Sequence, residues 1–148
     1  MRASAMMLLA AVLPQVLTAQ AQPVTGANSG GQPVGTMSEI MVRVIYPASD
    51  AIFYIATRTP RNGEEWAELE GKALMLAESG NLLMTPARAW DDDQWMRDAQ
   101  LMRNAGEAAF SAAKDRNVEA LEELNDQLYQ SCVTCHQHYR PGYPSYGR

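Results

Sequence analysis

Cys132-Val133-Thr134-Cys135-His136 places two thiols three positions apart, with an imidazole directly after the second. On a helix, that spacing sets both sulfurs on one side about one turn apart. Each thiol can then form a thioether with one vinyl group of a single haem, and the adjacent histidine reaches the iron as its proximal ligand. Two other chemistries use the same residue types. A redox dithiol or disulfide employs Cys132 and Cys135 and leaves His136 without a task. A zinc site made of Cys132, Cys135, His136 and His138 draws all its ligands from one short stretch of one helix, whereas a tetrahedral site ordinarily needs a second segment. One covalently held haem c is the expectation that employs both thiols and His136.

Such a group must be held by a scaffold, and four stretches carry helical periodicity between breakers. The first opens at Thr36 with Glu39 three residues on, a capping box, and its apolar seam is Met37, Met41, Val44, Ala48, Ala51, Ile55. Pro47 removes a backbone donor inside it, which predicts a kink. The second runs from about Gly63 to Leu83 with Trp66, Leu69, Ala73, Leu76 and Leu83 inward, and Pro86 stops it. The third follows Asp91-Asp92-Asp93, carboxylates suited to a helix N-terminus, with the seam Trp95, Ala99, Met102, Gly106, Ala109, Ala113. The fourth starts near Asn117 and carries Leu121, Leu124, Leu128, Cys132, Cys135 and Tyr139. Short connections between amphipathic helices predict an all-α, up-down-up-down antiparallel four-helix bundle with haem attachment near the C-terminus.

In that topology the first helix begins where the fourth ends. Met41 lies about five residues into the first helix, roughly 7 Å along its axis at 1.5 Å per residue, and His136 lies a similar distance from the end of the fourth. Met41 is therefore the expected distal iron ligand. Met37 sits at the fraying first turn, and Met84 and Met96 fall at the same bundle end but off the seams. His138 is about 200° around the helix from His136, so it does not reach the opposite face of the same iron. Thioether and imidazole ligation favours Fe(II) and leaves no vacancy for substrate. A site of that kind moves electrons. The alternative is an open or water-bound sixth position, with Met41 only lining it. Arg140 and Arg88 are placed to meet haem propionates, and Tyr139 to pack on the porphyrin or close the core.

Arg2 and the apolar run Ala5 to Leu13 read as the start of a signal peptide over residues 1–21, with Ala19-Gln20-Ala21 as a small-x-small cleavage pattern. The apolar run is far short of the about 20 residues a membrane span requires. A periplasmic location follows, with no membrane span after cleavage. Residues 22–35, rich in Pro and Gly, read as a flexible linker, 36–140 as the helical domain and 141–148 as a tail.

The chain has 148 residues and a formal net charge of −5, with Lys and Arg scattered, so it lacks the basic stripe that nucleic acid requires. Two cysteines are too few for a disulfide scaffold. No nucleophile and base pair or phosphate loop points to an enzyme, and the lack of a distal histidine argues against peroxidase chemistry. Ile45, Ile52 and Phe110, off the seams, either pack on a second copy in a homodimer or broaden the core.

The C-terminal Cys132-Val133-Thr134-Cys135-His136 followed by Tyr139-Arg140, the four-helix layout and a methionine early in the first helix resemble the class II cytochromes c, the family of cytochrome c′ and its low-spin relatives. The resemblance covers about residues 36–141. It implies a periplasmic one-electron carrier with one covalent haem, exchanging electrons with redox partner proteins. Its other branch, the five-coordinate cytochrome c′ type that binds nitric oxide or carbon monoxide, is the alternative. Ser38 to Ile55 and Glu78-Ser79-Gly80-Asn81-Leu82-Leu83 look more like a separate periplasmic branch than like cytochrome c′ itself.

Overall fold

A computed structural model of the chain describes residues 31–140 together with Gly142. The expected signal peptide, residues 22–30 of the linker and nearly all of the tail lie outside the described residues. Among the described residues every regular element is helical, and no helix is long and apolar enough to cross a membrane. Four helical stretches follow one another, as the periodicity predicts.

The first stretch contains α1 (Met37–Ile40), a π-helical segment (Met41–Ile45) and α2 (Tyr46–Phe53). Thr36 closes its start with both halves of the capping box: its hydroxyl accepts from the Glu39 amide at 3.2 Å, and Glu39 Oε2 accepts from the Thr36 amide at 2.9 Å. The Tyr46 amide reaches back five residues to the carbonyl of Met41. Pro47 explains the wide turn. In a regular helix its ring would collide with the carbonyl of Arg43, and the extra residue carries that carbonyl aside. The seam is displaced as a result. Val44 and Ala51, expected inward, are only half-buried, while Ile45 and Ile52 are 5% and 0% exposed. The inward series is therefore Met41, Ile45, Ala48, Ile52, Ile55, and the two isoleucines belong to the monomer's own core. Phe110 is half-buried beneath the Lys114 ammonium, 4.8 Å from its ring centre.

The second and third stretches are α3 (Gly63–Leu83) and α4 (Gln94–Lys114). Asn62 caps α3 by accepting from the Glu65 amide at 2.9 Å. The two helices run antiparallel and nearly touch through their backbones. A Cβ added to Gly106 would stand 2.5 Å from the Ala77 nitrogen, and one added to Gly80 would stand 2.8 Å from the Arg103 Cα. Only hydrogen fits at these two positions. All expected inward residues of α3 and α4 are buried, and Trp95 Nε1 donates to the Leu83 carbonyl at 2.7 Å, tying the start of α4 to the end of α3.

The expected fourth helix is divided. α5 (Val118–Glu123), capped by Asn117, gives way at Leu124 to α6 (Asn125–Tyr139). At that break the Asn125 side-chain amide donates to the Phe53 carbonyl at 3.4 Å, so the end of α2 meets the start of α6. Leu121 and Leu128 are buried as expected, whereas Cys132 and Cys135 are half-buried and face open space between the helices.

Candidate functional site

The first stretch must begin beside the end of α6, because its other end is pinned there to α6's start by Asn125 and Phe53. Between them lies a cavity of about 290 Å³. The first stretch contributes Met37, Ser38, Met41 and Val42, and α6 contributes Cys135, His136, Tyr139 and Arg140. Trp90 and Trp95 supply the remaining wall. A smaller cavity of about 40 Å³ lies deeper, again lined by Met41, Cys135 and His136, with Cys132, Asp98 and Met102 added. Met41 and His136 line both. Met84 and Met96 line neither and pack against the core instead.

The wall is an aromatic cluster. The Trp90 ring stacks on Trp95 at 5.7 Å between centroids, and Tyr139 meets Trp95 edge-on at 4.9 Å. The Tyr139 hydroxyl donates to Asp91 Oδ2, while Asp91 Oδ1 accepts from the amides of Asp93 and Trp95 at 2.9 and 3.0 Å. These bonds hold the Asp91 carboxyl below its ordinary value, the Tyr139 hydroxyl first and the Trp95 amide second. Burial, then the Asp91 hydrogen bond, pushes the Tyr139 phenol up to about 12. Asp91 thus acts less as a free charge before α4 than as a bracket between α4 and α6.

Burial also governs the Cys132 to His136 run. It pushes the Cys132 thiol up, and it takes Cys135 to about 12 with help from Asp98. Both cysteines are free thiols that stay protonated at neutral pH. His136 is moved down, by burial first and by the Arg140 charge second, which favours the neutral imidazole that binds metals. Across the two cavities, two protonated thiols, a neutral imidazole and a thioether, with an aromatic wall on the outer side, could hold a planar, largely apolar group containing a metal.

His138 is turned elsewhere. Its Nδ1 lies 2.6 Å from Asp98 Oδ2, and Gln94 Nε2 donates to the other Asp98 oxygen at 2.8 Å. Arg88, expected near the site, donates to the Gly35 carbonyl at 3.2 Å and does not line the cavity. Asp98 and Trp90 are among the lining residues that the expected set lacked. Asp98, at 1% exposure, lies three residues past Trp95 and four before Met102, so the helical period places it inward despite its charge. Trp90 precedes the acidic run as an exposed aromatic, and no periodicity marks it.

Compared with known protein families, curated proteins and solved structures, the chain matches none of them.

Proposed function

We propose that this chain is a periplasmic c-type cytochrome of the class II kind, an up-down-up-down bundle carrying one covalent haem and passing single electrons between redox proteins. Cys132 and Cys135 provide the thioethers, His136 the proximal ligand and Met41 the distal ligand. The observation that carries this reading is the pair of cavities shared by Met41 and His136, with Cys135 in both walls.

The donor set suits that group. Thioether formation consumes thiols and needs no buried thiolate, so the raised Cys135 value fits attachment better than it fits thiolate ligation of zinc or rapid disulfide exchange. Met41 offers a thioether from the first stretch, and no other methionine lines both cavities. When bound, the haem supplies a reversible one-electron couple at iron. The chain's own part would be to hold the His136 and Met41 side chains in place as donors and exclude water. Trp95 and Tyr139 close one wall, Ile45 and Leu83 line the inner recess, and Arg140 at the cavity rim is placed to meet a carboxylate.

The test is the optical spectrum of the haem-loaded protein, ferric and ferrous, with and without carbon monoxide, beside Met41→Ala. The expected result is a low-spin spectrum unmoved by carbon monoxide, which becomes high-spin and carbon monoxide-sensitive in the variant. A wild-type spectrum that is high-spin and shifts with carbon monoxide would replace electron transfer with gas binding. Loss of colour on denaturation and extraction would remove covalent haem altogether.

A further inference from the structure

Asp98 is the one charged side chain buried among the described residues. It lies in the wall of the inner cavity beside Met41, Cys135 and His136. Fold stability does not call for a carboxylate there, because a buried ion pair rarely stabilises more than apolar residues of the same size. Its two oxygens are held by Gln94 Nε2 and His138 Nδ1, at 2.8 and 2.6 Å, so the carboxylate is fixed in orientation. The His138 side chain is 42% exposed against 1% for Asp98. Solvent therefore screens any charge on His138, while the carboxylate acts on the cavity through low dielectric. The field reaching the cavity from this pair is net negative.

We infer that Asp98, oriented by Gln94 and His138, sets the reduction potential of the iron site by stabilising its oxidised state. The inference rests on the haem reading above and deepens it. A fixed negative charge favours Fe(III), which carries one positive charge more than Fe(II), so Asp98 opposes the rise in potential that Met41 ligation brings. The carrier would thereby be tuned below what Met41 and His136 alone would give.

The experiment is a potentiometric titration of the haem-loaded protein at one fixed pH, comparing wild type with Asp98→Asn and Gln94→Lys. Asp98→Asn keeps the shape and removes the charge. Gln94→Lys, at a half-buried position that accommodates a longer side chain, sets an ammonium against the same carboxylate. Both variants should favour Fe(II), Asp98→Asn by at least about tenfold, a rise of roughly 59 mV for one electron. Their low-spin spectra and haem content should match wild type. If Asp98→Asn fails to fold or load haem, the direction in Gln94→Lys decides. A shift toward Fe(II) of less than about tenfold in Asp98→Asn, or a lowered potential in either variant, overturns the assignment. Absence of covalent haem from the wild-type protein overturns the cytochrome reading itself, and this inference with it.

Discussion

The Tyr139 hydroxyl donates to Asp91 Oδ2, joining the last turn of α6 to the residues that open α4. The contact closes the aromatic wall, since Tyr139 is held edge-on to Trp95 from one side and by Asp91 from the other. Because the Asp91 value is lowered on folding, its contribution is present above the ordinary value of 3.8 and is lost as pH falls through the lower folded value. Thermal melts of wild type should fall in midpoint below about pH 4. Tyr139→Phe should melt lower at pH 7 and show a shallower acid decline. Parallel curves for the two proteins would mean that this bond does not couple to the fold.

The glycines of α3 and α4 should divide by environment. Gly106→Ala and Gly80→Ala force a methyl into opposing backbone and should each destabilise by about 1–3 kcal/mol. Gly71→Ala, on the same helix as Gly80 but with nothing near its Cβ position, should stabilise by up to about 1 kcal/mol. Urea denaturation of the three variants checks both signs.

Removing the helix cap should act locally on the Met41 side of the cavity. Thr36→Ala loses the acceptor for the Glu39 amide and should cost about 1 kcal/mol, with faster amide exchange over Met37 to Met41. The haem-loaded variant should show a larger high-spin fraction, because Met41 lies at the end of the loosened turn. Unchanged exchange there would show that packing alone holds the start of α1.

Thiol reactivity separates attachment from redox chemistry. Moving Cys135 from 9.0 to about 12 lowers its thiolate fraction about a thousandfold at neutral pH. In the haem-free protein, alkylation of Cys135 at pH 7.5 should be slower than that of a free cysteine, by less than the fall in thiolate because a thiolate of higher pKa is the stronger nucleophile, and unfolding in urea should abolish the difference. Fast alkylation in the folded state would favour the dithiol alternative.

Covalent retention should follow the cysteines in steps. Cys132→Ala or Cys135→Ala should each leave haem attached by one thioether, visible on a denaturing gel, and the double variant should retain none. Full retention in the double variant would break the attachment assignment.

The helical class, the extents of α3 and α4 and their buried faces were legible in the sequence, because a period of three and four residues with Leu, Ala and Trp inward has one way to bury itself. The meeting of Cys132, Cys135 and His136 in one cavity wall was legible because their spacing on a helix sets them side by side. The register of the first stretch was not. Pro47 announces a disturbance, but whether the helix bends or widens depends on what packs against Ile45 and Ile52, and the π turn is the solution that buries both. The division at Leu124 and the roles of Asp98, Trp90 and Asp91 likewise belong to the tertiary structure. Each depends on a partner far along the chain: Phe53 for Asn125, His138 for Asp98, and Tyr139 for both Trp90 and Asp91. Local periodicity records which side of a helix is apolar. Which charged or aromatic residue meets which across the core is decided only when the helices pack.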